Sequence, residues 1–408
     1  MSLRALLSIA LLVPAVFLER AAVLGQRVIL PMYLARSERT FDSVSKLFLV
    51  SYWATMLAGP LGGATAIAIG PRWAATIGAA IAATGATVIA LGASASFGTV
   101  VTGIGAGMAA PCVYAAAAET IEREDGASPR RFAFATAAVL ALFVAMHAAG
   151  LGAPMLAGLL TSSAGAKLTF ALVAAMLGAS ALVLGGSALV APPAATDASA
   201  PPGAAPYREA APAPPASNAT RAVGPALATI VVAQAIYSMA ATLAYPRRIE
   251  TLSTATMATL WSIAPAIGLV TCLVALVLWS FAAATRRPWI PLATAPVGLL
   301  LVALGIVALA ANESFAIAAF GSVLGAAGQA IAGPVLVAYS ALAVPGRMRA
   351  LAVSGCLLAA SVAGAVALPA REVQAHAAVS IVVAIVAIGA GACGIARARR
   401  LHALFTPA

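Results

Sequence analysis

Three charged residues stand inside one apolar run. Residues 6–34 are otherwise almost wholly apolar, and within them lie Glu19, Arg20 and Arg27. In hydrocarbon, a charge at mid-depth costs at least about 2.5–3.5 kcal/mol on insertion scales, so such groups turn toward a protein interior or a wet cavity. Arg20 and Arg27 are seven residues apart. Two helical turns separate them, which puts both guanidinium groups on one helix face with their Cα atoms about 10 Å apart along the axis. The pattern is a cationic stripe suited to an anionic group such as a carboxylate. Glu19 is the acid beside it, and Glu119, Glu250 and Glu313 fall at the ends of other apolar runs. A buried carboxyl whose arginine neighbours are alternately engaged and released can take up and give back a proton. The alternative is a charge cluster that pins helix packing and binds nothing.

Composition fixes the kind of element that carries these residues. The chain has 408 residues, of which 62% are hydrophobic and 9% charged, with a mean hydropathy of +1.02. Soluble domains carry roughly 25% charged residues. A chain this poor in charge cannot cover a water-facing surface, which excludes a soluble enzyme and makes the lipid bilayer its solvent. The net charge of +11 is read as topology and not as a nucleic-acid surface. Fourteen of the 23 Lys and Arg fall in alternate segments that include both chain ends, and seven fall in the opposite set. The positive-inside rule then puts both termini in the cytoplasm. Only two of these residues are lysines, and Ala and Gly are abundant. That usage suggests a GC-rich bacterial genome and a multi-pass protein of the bacterial inner membrane.

A spanning helix needs about 20 apolar residues. Apolar runs broken by charge, Pro and Gly predict twelve spans, at 6–34, 43–69, 73–95, 97–119, 131–160, 167–191, 223–246, 252–282, 288–311, 313–342, 347–370 and 375–397. Residues 192–222 are rich in Pro and Ala without an apolar period, the composition of a disordered linker. The expected organisation is a six-helix bundle over 1–191, a cytoplasmic linker over 192–222 and a second six-helix bundle over 223–408. This all-α layout matches the major facilitator fold, in which substrate binds between two bundles near the midplane.

Few other positions suggest chemistry. Glu119 closes the fourth run beside Glu122, Arg123, Glu124 and Asp125, where it reads either as a gating group or as part of a solvated face. His147 stands alone in the fifth run and reads as a packing residue, with a proton relay as the alternative. Gly103, Gly105 and Gly107 lack the preceding strand of a dinucleotide loop and read as close helix contacts. Cys112, Cys272, Cys356 and Cys393 lie in apolar spans without ligand spacing. No metal, cofactor or nucleophile–base constellation is found, so no enzyme activity is expected.

The run from Glu19 to Leu34, ERAAVLGQRVILPMYL, resembles the proton-dependent oligopeptide transporter family, which opens with E-x-x-E-R-F-x-Y-Y-G-x-R. Glu19, Arg20, Gly25, Arg27, Leu30, Tyr33 and Leu34 fall in register. The segments around Gly59–Gly63, Gly103–Asp125, Leu260–Pro265 and Gly328–Leu351 are similar to further family segments. There are departures: Val16 replaces the first Glu, Val23 and Leu24 the paired tyrosines, Ala110 a Lys, Ala148 and Ala264 two Asn, and Gln329 the tenth-span Glu.

The resemblance implies a symporter that moves a small organic solute with protons. In it Glu19 would couple the proton, Arg20 and Arg27 would bind the anionic group, and Gln329 would offer neutral hydrogen bonds across the cavity. The loss of polar positions implies a more apolar pocket than a peptide site. The competing readings are an exporter of hydrophobic compounds and a transport-inactive membrane scaffold or sensor. Substrate identity, transport direction and oligomeric state are not written in these residues.

Overall fold

A computed structural model of the chain describes residues 2–35, 41–125, 130–191, 254–284, 287, 289–310, 315–342, 344 and 346–367. The expected linker over 192–222 and the spans at 223–246 and 375–397 lie outside the described residues. Among the described residues there are ten α-helices. They are α1 (Leu3–Ala35), α2 (Phe41–Ile69), α3 (Pro71–Ala90), α4 (Ala95–Asp125), α5 (Arg131–Ala164), α6 (Ala166–Val190), α7 (Thr254–Ala284), α8 (Ile290–Ala310), α9 (Phe315–Leu342) and α10 (Arg349–Ala367). Seven of them contain stretches long and apolar enough to cross a membrane. With no water in the bilayer core, a helix is the form that satisfies its own backbone.

Breaks between helices fall where the backbone chemistry demands them. Gly70 and Gly165 each take a positive φ, 86° and 85°, between consecutive helices. Pro71 then opens α3, where its missing N–H costs nothing. The predicted third run continues to residue 95, but the helix stops at Ala90 because Gly92 adopts φ 74°. Ser94 Oγ accepts the Phe97 N–H at 3.2 Å and starts α4. The fourth run is predicted to end at Glu119, but α4 continues to Asp125. The extra turns are polar and project from the apolar layer, with Arg123 bonded back to Glu119 one turn earlier.

Helices α1 to α6 form one packed group, through the pairs α3–α4, α3–α6, α2–α4, α1–α5 and α1–α6. Helices α8 and α9 form another close pair, with α7 and α10 against α9. Lipid tails are as apolar as leucine, so these helices associate by close packing rather than by hiding from solvent. Glycine supplies the closeness. A Cβ at Gly78 would stand 2.8 Å from Gly105 O and Ala109 N, and one at Gly85 would stand 2.6 Å from Gly98 O. The same happens on the other side: Gly298 and Gly305 would each put a Cβ 2.7 Å from a carbonyl of α9, those of Gly328 and Gly321. Gly103 and Gly107, read above as packing glycines, lie against Ser51 and Thr55 of α2.

The two groups meet at one end of the molecule. The start of α1, the α2–α3 turn, the end of α4 and the starts of α5 and α10 share this end, here called the basal face. Residues of α4, α9 and α10 join one apolar cluster there, including Ala117, Ile121, Ala341 and Val353. A second cluster joins Phe132 and Leu140 of α5 to Cys272 and Trp279 of α7 and Val335 of α9. Exposed leucines and valines elsewhere, such as Leu182 and Val277, cover the lipid-facing surface.

The glycine contacts set a stability test. Gly105→Val puts side-chain atoms into the backbone of α3, where a Cβ would already stand 2.7 Å from Ala82 Cα. Overpacking of this kind costs about 1–3 kcal/mol or more, and the purified variant should melt well below wild type. Gly158→Ala, whose Cβ meets nothing within 4 Å, should melt at or slightly above wild type. Equal melting of the two variants would refute the packing account.

Candidate functional site

Glu19 and Arg20 lie midway along α1, where that helix is packed by α4, α5 and α6. Glu19 is buried, with 6% of its surface exposed. Its Oε2 stands 3.3 Å from Arg20 Nε. Its Oε1 has no hydrogen-bond partner among the described residues. A buried carboxylate oxygen without a partner is costly, and a native structure keeps one for a reason such as a bound water, ion or proton. Beside it is a cavity of about 20 Å³, lined by Glu19, Arg20, Ala110, Tyr114, Ser180 and neighbouring apolar groups. That volume holds about one water molecule and no organic solute. Ser180 is already committed, donating to Ala15 O at 2.9 Å.

Arg27 stands two turns further along α1 and is exposed. It is within electrostatic range of Arg20, Glu19 and Tyr52. It forms none of the ion pairs found among the described residues. An open guanidinium in this neighbourhood is free to grip a carboxylate through two parallel bonds. Gln329 is half-buried on α9, between Gly328, which packs on α8, and Ala330, whose carbonyl faces Cys272 of α7. It forms no hydrogen bond with Arg20, Arg27 or Glu19 among the described residues. The stripe of α1 and the amide of α9 therefore sit in different helix groups.

A second polar cluster occupies the basal face, and most of it was not visible as a cluster in the sequence. Glu119 pairs with Arg123 of its own helix at 2.5 Å. The carboxylate that reaches the other group is Glu122, which forms an ion pair with Arg349 at the start of α10. Arg349 is buried, and its Nε also donates to Ala341 O at 3.0 Å. Arg72 is buried at the start of α3 and donates to Ser8 Oγ and Thr120 Oγ1, both at 2.5 Å. Ser2 donates its backbone N–H and its hydroxyl to the two oxygens of Glu124, at 2.8 and 2.7 Å. These bonds tie α1, α3, α4 and α10 together at one end. The bonds of Arg72 with Ser8 and Thr120, and of Ser2 with Glu124, join residues 48 to 122 positions apart, and Glu122 and Arg349 are further apart still, so no local spacing announces them. Arg349 and Arg72 stood out only as members of the basic loops.

Next to this cluster, α2 lies directly on α10. A Cβ at Gly63 would stand 2.7 Å from Leu351 Cα, and one at Gly59 would stand 3.6 Å from Ser354 Cβ. Backbone meets backbone there, with no side chain between. The basal face is thus closed by apolar clusters, by one ion pair between helix groups and by a glycine contact.

No family model matches the sequence, and no curated protein matches it. Solved structures do match in fold. A structure of the human organic anion transporter MFSD10 (TETRAN) superposes with a TM-score of 0.63 at 15% identity, covering 99% of each chain. The Major Facilitator Superfamily transporter FucP in the outward conformation gives 0.66 at 16% identity, covering 98% of this chain and 99% of that one. The POT family transporter PepTSo gives 0.59 at 14%, covering 97% and 98%. The chain therefore has the all-α polytopic fold of major facilitator transporters. That is broader than the oligopeptide transporter resemblance of its first span, since the matched structures are spread over several kinds of transporter.

The basal closure can be trapped. A Cβ–Cβ separation of 3.6 Å between positions 59 and 354 lies within the range of disulfides. Gly59→Cys with Ser354→Cys should cross-link under mild oxidation. Adding Arg349→Gln removes the ion pair to Glu122. Cross-linking should then slow by about fivefold, the factor given by about 1 kcal/mol for a pair whose carboxylate is still partly exposed. Unchanged kinetics would mean that the pair contributes nothing to closure.

Proposed function

We propose that this chain is a secondary transporter that carries a small organic solute with an anionic group by alternating access, and that it couples the movement to protons through Glu19. The observation that carries the reading is a buried, half-satisfied carboxylate beside two arginines, on a transporter fold whose helix groups meet at one end. Binding between two groups that rock about a central site is the known use of such repeats. The basal face collects Arg4, Arg72, Arg123, Arg130, Arg131, Arg347 and Arg349, which supports a cytoplasmic location for it in a bacterial inner membrane. Substrate would then enter from the opposite side while this face is closed.

The division of labour follows from the chemistry of the three α1 residues. Arg27, exposed and outside the ion pairs described, is the first contact for an incoming carboxylate. Arg20 is shared. When substrate takes it, Glu19 loses its nearest cation and binds a proton more readily, so solute and proton load together. The water-sized cavity at Glu19 gives that proton a place without admitting the solute. The fold likeness to a structure named as an organic anion transporter accords with the arginine stripe. Gln329 would supply neutral hydrogen bonds from the facing helix group.

Reconstitution into proteoliposomes tests this. A screen of monocarboxylates, amino acids, dipeptides and lipophilic drugs by ligand-induced thermal shift supplies the substrate. Arg27→Ala should lower its affinity by one to two orders of magnitude, in line with about 1.5–3 kcal/mol for a hydrogen bond to a charged group. Arg27→Lys should also be impaired, because an ammonium lacks the planar fork. Glu19→Gln should keep counterflow exchange and lose uptake driven by a pH gradient. Accumulation against a gradient by a well-folded Glu19→Gln protein would defeat the coupling assignment. Unaltered binding by Arg27→Ala would defeat the anion site and favour an exporter of hydrophobic compounds.

A further inference from the structure

His147 is not alone in an apolar helix face. Its imidazole lies across the seam between α5 and α7, against the backbone of Gly268. A Cβ at position 268 would stand 2.5 Å from His147 Nδ1 and 2.9 Å from its Cγ. Any side chain at position 268 would force the ring to shift. One turn away, Gly150 packs on Pro265, with a Cβ-to-Cβ distance of 3.4 Å. On its other side the imidazole meets Phe143, with ring centroids 6.5 Å apart, and Phe143 meets Tyr114 of α4 at 5.6 Å. The ring therefore keys one helix group to the other, at the inner end of the apolar cluster formed by Leu140, Cys272 and Trp279.

We propose that His147 is a proton-binding site of this seam, separate from Glu19, and that taking up a proton releases the imidazole from its notch and opens the seam. The inference rests on the alternating-access reading above and adds the control of one seam to it. In the closed form the ring is half-buried and makes no hydrogen bond or ion pair among the described residues. The titratable groups on the elements packed against α5 are Arg4, Glu19, Arg20, Arg27 and Tyr33 of α1, Cys112, Tyr114 and the polar end Glu119–Asp125 of α4, Lys167 of α6, Cys272 of α7 and Tyr339 of α9. None of them forms a hydrogen bond or ion pair with the imidazole among the described residues, and the groups that touch it are Phe143 and the backbone of Gly268. A neutral imidazole suits that notch. An imidazolium there is an unpaired charge against apolar side chains and is disfavoured. Once the helices part, the same ring meets water and binds a proton as an ordinary histidine does, near pH 6.5.

Linkage then fixes the direction. The proton binds the open seam better than the closed one, so acid favours opening. The closed form is fully favoured above about pH 6.5, and below it the ratio of open to closed rises by at most about tenfold per pH unit for one proton. Gly268 matters as much as the histidine. A methyl group at position 268 occupies the place of the ring and should open the seam at any pH.

The experiment is a spin-label distance measurement in lipid nanodiscs, with labels at Arg130→Cys and Arg287→Cys on either side of the seam. In the otherwise unaltered protein the longer-distance population should grow as pH falls from 8 to 5. Gly268→Ala should show that population already at pH 8. His147→Gln should remove the pH response, and Glu19→Gln should keep it. A pH response that persists in His147→Gln overturns the proposal, as does a Gly268→Ala protein that stays closed. No change in distance with pH or with the substrate from the thermal-shift screen overturns the alternating-access reading itself. Should the His147 variants fail to fold, ¹⁵N-histidine NMR of the chain, which has three histidines, gives the answer. With the seam held closed by a disulfide across it, Gly150→Cys with Pro265→Cys, whose Cβ atoms would stand 3.4 Å apart, the His147 signal should not titrate down to pH 5. A normal titration in that closed form overturns the assignment.

Discussion

Backbone-to-backbone contact through glycine is the interaction on which the rest of this structure depends. In a bilayer the hydrophobic effect brings a helix into the apolar layer but gives it no preference for another helix over lipid. Association comes from dispersion, which falls off within an ångström of separation. Gly78 and Gly85 bring α3 onto α4, and Gly298 and Gly305 bring α8 onto α9 in the same manner. These approaches hold α4 and α9 rigid. On those two helices sit Glu122 and Tyr114 in one group and Gln329 in the other.

Rigid packing makes the interior charges tolerable. Arg72 is buried, but two hydroxyls one helix away on either side accept from it. Arg349 has a carboxylate and a carbonyl. Each of these cations is met by partners that a loosely packed bundle could not hold in place. Arg72 leaves its Nε unmet and Glu19 leaves Oε1 unmet, but only Glu19 of the two lines the water-sized cavity, where a proton or water can meet it.

Much of this architecture is legible in the chain. Apolar runs place the described helices within a few residues of their observed ends, because a span is a local property of length and composition. Glu19, Arg20 and Arg27 are legible for the same reason, as charges where the surroundings permit none. The errors at Ala90 and Asp125 came from Gly92, whose positive φ stops a helix inside an apolar stretch, and from polar turns that extend α4 beyond it. A further regularity was there to read. Glycines recur at a seven-residue spacing in 78 and 85, 98 and 105, 298 and 305, and 321 and 328, and they form equivalent contacts in the two helix groups. Pairs such as Glu122 with Arg349 or His147 with Gly268 could not be read, since each joins positions more than a hundred residues apart whose meeting is decided only by the packing of whole helices.

The two seams between the helix groups differ in texture, and this bears on the speed of any rocking motion. Along α2 and α10, Gly63 lies on the backbone of Leu351. No side chain interlocks there, so the two helices can part at the cost of their dispersion contact alone. Along α5 and α7, a planar ring sits in a recess one residue wide, and any shear must first lift it out. Friction is therefore concentrated on one side of the molecule. While the ring stays seated the rotation axis should lie near the histidine seam, and only the release of the ring lets that side part. Collective motions of this size belong to the microsecond-to-millisecond range, and within it the height of the step is set by how deeply one side chain is seated.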